Sequence, residues 1–289
     1  MPIPRRWSIA FATGSALTLL AVYAYSTESA PTGPFAPGLV NAFGAANLLL
    51  VCVFLAMLAS VYVTKVESAE EALEDEHSRS EALLHNVLPS TIVDRLKLST
   101  NPIADRFEAA SILFADLVGF TEMSSTMTPV HVVEMLDEVF TRLDRLTQRY
   151  QGEKIKTIGD AYMVAAGIPS PRADHAEVLA RLALDMHAAV AEYNAEAGTT
   201  LALRIGLHSG AVVAGVIGKT RFLYDLWGDT VNTASRMESH GVAGEVQLTE
   251  ATAALLESTF VVEERGIIEV KGKGRMRTFF LRSKKPAAA

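Results

Sequence analysis

Two uncharged apolar stretches near the amino terminus restrict this chain more than anything else in it: residues 7–25, a run of 19, and residues 39–64, a run of 26. Each is long enough for a helix to cross about 30 Å of hydrocarbon, where a lone segment satisfies its backbone N–H and C=O groups only as a helix. We therefore expect a membrane region over 1–64 with two transmembrane helices, at about 7–25 and 39–64. A cleaved signal peptide is the rival reading of the first run, since Arg5 and Arg6 precede it. Signal cores are shorter, about 7 to 15 residues, and here a second span follows at once. The segment 26–38 between the runs has no Lys or Arg, and Lys65 follows the second. That bias places both ends in the cytosol, giving a multi-pass protein of the cell membrane with lipids as partners and everything after Lys65 cytoplasmic.

Charge and cysteine content narrow the function of the remainder. A formal net charge of −7 argues against nucleic acid as a partner, so a polyphosphate ligand would need local cations. The single cysteine, Cys52, sits inside the second apolar run and closes no intrachain disulfide.

Beyond the membrane region, 65–88 reads as a helical linker. Val66, Ala69, Leu73, Ser80, Leu83 and Val87 fall roughly on one heptad seam, with Glu76 and Ser80 at core-type places. A short parallel coiled coil in a dimer and a solvated amphipathic linker both fit that pattern. Pro89 then breaks the helix, and a lead-in segment, 89–105, carries a loop signal at Asn101-Pro102. The globular domain spans 106–289. Its hydrophobic periodicity predicts a strand at 109–117, a helix at 129–150, two strands within 154–168, a helix at 173–197 and two strands within 201–216. This α+β order, βαββαβ, is the ferredoxin-like plan, with a further α/β segment appended. Near the end, IIEVKGKGRMRTFFL alternates around a Gly-Lys-Gly tip, a hairpin with lysines at its turn.

Within that plan Asp116, in FADLVGFT, falls near a strand end, and Asp160, in KTIGDAYM, falls at a hairpin tip. If their strands are neighbours, the two carboxylates point at one spot and can hold two divalent cations, an arrangement suited to phosphorus chemistry. Singly, each would more often be a solvated acid at a strand end.

FADLVGFT, EKIKTIGDAYM, LRIGLHSG, YDLWGDTVNTASRME and IEVKGKG occur in that order, and LLHNVLPSTI precedes them. Over roughly 83–282 the chain resembles the class III nucleotidyl cyclases and is similar to bacterial membrane adenylyl cyclases of Cya type. The resemblance implies that Asp116 and Asp160, helped by the carbonyl of Leu117, hold two Mg²⁺ or Mn²⁺ ions. It implies that Lys154 and Asp225 select the base: a Lys donor and an Asp acceptor complement adenine, whereas guanylyl relatives carry Glu and a small residue such as Cys. Asn232, which positions the ribose, and Arg236, which stabilises the transition state, lie four apart and share one face if their segment is helical. Lys271 matches the lysine that meets the terminal phosphates, while Lys273 reads as a solvated tip charge. Some relatives place an Arg directly after the HSG turn; Ala211 stands here, with Arg221 a candidate substitute. His208, in the same turn, is read as a structural histidine.

The implied reaction converts ATP to 3′,5′-cyclic AMP and pyrophosphate at a site shared by two cyclase domains. One chain carries both residue sets, so the resemblance implies a homodimer with two composite sites. Membrane relatives carry six spans per domain against two here, so the chain is either an unusual form or an N-terminally shortened one, and its membrane part is a candidate sensor for an unknown ligand. Two other readings stand beside this one: a guanylyl cyclase, and a membrane receptor whose cyclase-like domain binds nucleotide without turning it over.

Overall fold

The computed structural model describes residues 37–85, 87–98, 102–218, 220 and 222–286. The first expected span, 7–25, lies outside the described residues, as does Arg221. Two compact units divide the chain, Met1–Leu83 and Leu84–Ala289.

In the first unit, α1 (Pro37–His85) is one helix of 49 residues. At 1.5 Å per residue it is about 74 Å long. The apolar run and most of the expected linker are therefore continuous helix. Its apolar side chains stay exposed, with Leu48 at 66%, Leu55 at 58% and Tyr62 at 70%. A window of mean hydropathy 2.4 lies within Gly44–His85 with none of it buried. By length and composition it is the one helix, among the described residues, fit to cross a membrane.

The second unit begins with α2 (Ser90–Leu98), β1 (Ala104–Val118), α3 (Phe120–Thr126) and α4 (Pro129–Arg149). It continues through β2 (Glu153–Ile158), β3 (Ala161–Ala166), α5 (His175–Ala197), β4 (Ala202–Ile217), β5 (Leu223–Trp227) and α6 (Asp229–Ser239). The last elements are β6 (Val246–Thr249), α7 (Glu250–Leu256), β7 (Phe260–Val270) and β8 (Gly274–Lys284). One eight-stranded mixed sheet runs β2-β3-β1-β4-β6-β8-β7, with β5 paired to β4 off that path. Its first four strands have the order a βαββαβ chain makes, and β6 joins parallel to β4.

Strand periodicity divides the core between the two faces of this sheet. Leu113, Ala115 and Leu117 of β1 point to the side covered by α4 and α5, where Leu143, Leu179, Leu182 and Met186 are fully buried. Ile112 and Phe114 point to the other side, against Leu88, Ile92 and Val93 of the lead-in segment and Ala234 of α6. Each fully buried side chain of this size stabilises by about 1.5–3 kcal/mol. Helix α4 starts where Thr128 caps it, its hydroxyl accepting from the His131 N–H, with Pro129 in the first turn.

The structure departs from the sequence expectation at 201–216, where one 16-residue strand, β4, replaces two strands about a turn at Ser209-Gly210. Gly210 is not among the glycines with positive φ. Its role, like that of Gly206, is close approach to α6: a Cβ on Gly206 would lie 2.0 Å from the Glu238 backbone nitrogen, and one on Gly210 would lie 2.7 Å from Thr230 Oγ1.

Candidate active site

The end of β1 sets Asp116 opposite Ala161 of β3 and Arg204 of β4. Gly159 takes φ 64 in the turn that leads β2 into β3, which brings the following residue, Asp160, beside Asp116. Burial first, and then the Asp160 charge, push the Asp116 carboxyl above its usual range, while Arg204 pulls it back. Arg204 donates from Nη2 to Asp116 Oδ2 at 2.9 Å and from Nε to Glu238 Oε1 at 2.8 Å. Glu238, 8% exposed, is likewise raised by burial and lowered by Arg204. Two acids thus bond one guanidinium with a third, Asp160, beside Asp116, leaving negative charge in excess.

That excess fits hard divalent cations. Among the described residues no group of three or more His, Cys, Asp and Glu forms a metal cage. An Mg²⁺-type ion needs only one or two carboxylates, because phosphates and water complete its shell. Leu117 is 1% exposed with its side chain in the core, so it can offer such an ion only its backbone. Arg204 and Glu238 were not anticipated from the sequence. The signal for Arg204 lies in LRIG, where Leu203 and Ile205 enter the core and the residue between them must turn to the face of Asp116.

The structure does not bring Lys154 to Asp225. Lys154 donates instead to Asp144 of α4 at 2.8 Å and lies over the Tyr162 ring. The lysine that meets Asp225 is Lys156, with Nζ 2.5 Å from Oδ2. The cause is a bulge: Lys154 stands opposite Val164 but Lys156 stands opposite Met163, so Ile155 is the extra residue. Val164 faces the α4 side and Met163 the other, which sends the two lysines to opposite faces of the sheet. Asp225 is held from behind, its Oδ1 accepting from the Leu226 N–H.

Asn232 and Arg236 do lie on one helix, four apart in α6. Thr233, Ala234, Met237 and Glu238 of that helix are buried, whereas Asn232 is exposed and Arg236 half-buried. Two residues along an α-helix turn about 200°, so Arg236 points away from the side on which Glu238 meets Arg204 and Asp116. Within one chain the arginine and the aspartates face apart.

At the β7–β8 turn Lys271 is exposed, its backbone N–H 3.4 Å from His240 Nε2. Lys273 is not the solvated tip charge expected of it. Its Nζ bonds Asp229 at the start of α6, and its side chain is 20% exposed. His208 Nδ1 lies 2.7 Å from Thr249 Oγ1, and burial lowers its pKa to about 4, so it remains neutral at physiological pH.

Residues 103–283 match the model of the adenylate and guanylate cyclase catalytic domain. The chain belongs to the class III nucleotidyl cyclases. An adenylate cyclase of Mycobacterium bovis is 50% identical over 221 residues, 76% of this chain and 50% of that protein. The rat guanylate cyclase soluble subunit beta-2 is 44% identical over 208 residues, 71% of this chain and 30% of that protein. Among solved structures, the guanylate cyclase domain of RhGC from Catenaria anguillulae, in complex with GTP, superposes with a TM-score of 0.61 at 35% identity, covering 63% of this chain and all of that one. The adenylyl cyclase CyaB from P. aeruginosa gives 0.59 at 26% identity, over 64% and 99%. This cyclase spans about half the length of its mycobacterial relatives.

Strand β2 of the cyclase also carries Glu153, whose pKa burial raises to about 7. Between the unfolded value near 4.5 and about 7, the unfolded chain releases a proton that the folded chain keeps, so this group lowers stability as pH rises through that window. We expect Glu153→Gln to stabilise the domain by about 2 kcal/mol near pH 8 and to leave it nearly unchanged at about pH 4 and below. Thermal unfolding across that range checks this, and a gain that is flat with pH contradicts it.

Proposed function

We propose that this chain is a membrane-anchored adenylyl cyclase, in which the 3′-oxygen of ATP attacks its own α-phosphorus to give 3′,5′-cyclic AMP and pyrophosphate. The observation that carries the reading is the Lys156–Asp225 pair. Relatives of both nucleotide specificities match this chain, so the base pocket decides. Lys156 Nζ can donate to the ring nitrogen of adenine, and the Asp225 carboxylate can accept from the exocyclic amine. Guanine presents the reverse order and would leave both groups unpaired, which discriminates by about 10⁴.

The other roles follow from placement. Asp116 and Asp160, with the Leu117 carbonyl, would hold two divalent cations, Mg²⁺ or Mn²⁺, which when bound acidify the ribose hydroxyl and neutralise the triphosphate. Arg204, already beside Asp116, supplies the fixed positive charge that Ala211 does not. Lys271 reaches the terminal phosphates. Asn232 orients the ribose, and the Arg236 guanidinium meets charge as it builds on the α-phosphoryl oxygens. Because Arg236 faces away from the aspartates of its own chain, the proposed site takes its acids from one protomer and its base pair, Asn232 and Arg236 from a second, in a homodimer. Helix α1 supplies the anchor.

The test is turnover by the full chain in lipid nanodiscs with Mg²⁺ or Mn²⁺. We expect cyclic AMP and pyrophosphate in equal amounts from ATP, far slower turnover of GTP, and loss of both on chelation. Preference for GTP, or product formation indifferent to chelation, overturns the assignment.

A further inference from the structure

A cavity of about 710 Å³ lies around the edge strand β2. Its walls come from Leu88 and the lead-in residues Pro89 and Ser90, from Asp144 of α4, from Glu153, Lys154 and Ile155 of β2, and from Tyr224 of β5. One polar group in this wall is buried with nothing to bond, and a second, part-buried one has no partner in the protein among the described residues. Tyr224 is 5% exposed and its hydroxyl is buried without a hydrogen-bond partner. The Glu153 carboxyl makes no hydrogen bond or ion pair among the described residues, and burial is the one influence acting on it. The lysine in the wall, Lys154, is taken by Asp144 at 2.7 Å, and Arg95, whose charge also acts on Tyr224, is bonded to Asp105.

Leaving a buried hydroxyl unpaired costs about 1–3 kcal/mol, and a part-buried carboxylate with no cation beside it is also disfavoured. A site that keeps such groups against an opening is short of one particular partner: a positively charged donor. An anion would meet an unpaired carboxylate, and a neutral apolar molecule would leave both groups unsatisfied. We propose that this cavity binds a small organic ammonium compound, whose N–H groups donate to the Glu153 carboxylate and the Tyr224 hydroxyl while its carbon frame lies on Leu88, Pro89 and Ile155. The tyrosine ring adds a face that attracts cations.

The placement gives the site a consequence for turnover. Glu153 and Lys156 share β2, and Tyr224 adjoins Asp225 on β5, so an occupant that joins those strands to the lead-in segment holds the base-selecting pair in place. Binding itself stands apart from nucleotide preference and is read without turnover.

The probe is phenethylammonium, with 2-phenylethanol as its neutral counterpart, added to the full chain in nanodiscs and followed by ligand-observed NMR with empty nanodiscs subtracted. We expect one saturable site per chain at millimolar probe or below. Binding should be about tenfold weaker for the alcohol and for Glu153→Gln, and several-fold weaker for Tyr224→Phe. Both variants keep the shape of the parent side chain, and their thermal unfolding shows whether the fold is retained. Absence of saturable binding by the wild-type chain, equal binding of amine and alcohol, or amine binding that Glu153→Gln leaves intact each overturns the site.

Discussion

Mixing Asp116→Ala chains with Arg236→Ala chains is expected to restore cyclic AMP formation to about one quarter of the wild-type rate, although each variant alone is nearly inactive. Loss of Arg236 removes the fixed charge at the reacting phosphorus, a defect worth about 10²–10³ in rate. Loss of Asp116 leaves Asp160 without its partner acid and removes one of the two acids that Arg204 bonds, the other being Glu238. Random assortment makes half the dimers mixed. Each mixed dimer has one site with both defects and one with none. The physical basis is the orientation of α6, whose Glu238 side lies against Arg204 while Arg236 lies on the outer side. Were a single chain sufficient, the mixture would be no more active than its components. Co-purification through two different tags confirms that mixed dimers form, and zero recovery in such a sample rules out the shared site.

How far the chain could be read before its fold was known depended on which signals are local. Helices α4 and α5 and strands β1 to β3 were legible because their apolar residues repeat at 3.6 or 2, and tertiary packing agreed with that repeat. The two aspartates were legible for the same reason, each being fixed by a strand end and a nearby glycine. The glycines of β4 misled. In sequence Ser209-Gly210 has turn chemistry, and only the approach of Thr230 and Glu238 shows that these glycines make room for a helix that comes later in the chain. Arg204 was hidden in a similar way, since nothing within LRIG reveals that a strand 88 residues earlier ends beside it.

That Lys156 rather than Lys154 meets Asp225 has another cause. Strict alternation would send Lys154 and Lys156 to the same face, and choosing between them needs the bulge at Ile155, which depends on how β2 pairs with β3. A bulge leaves almost no trace in composition. Lys154 also has a credible role of its own, bonded to Asp144 beside Tyr162, so its charge alone could not separate it from its neighbour.

That distinction yields the second large effect. Lys156→Glu combined with Asp225→Cys is expected to reverse the preference from ATP to GTP, shifting the ratio of the two kcat/KM values by more than about 10⁴, or upward of roughly 5.5 kcal/mol. Both changes are needed. Lys156→Glu alone sets a new carboxylate against Asp225, whose side chain is 11% exposed, and two unshielded acids at that separation repel each other and weaken binding of either nucleotide. With Cys at 225 the repulsion is gone, and the new Glu can accept from the ring N–H and amine of guanine. Lys154→Glu is the control. It breaks the bond to Asp144 on the other face of the sheet and should cost some stability while leaving the ATP to GTP ratio where it was. If the ratio instead responds to position 154 and not to 156, Lys156 does not select the base, and the case for ATP loses the geometry on which it rests.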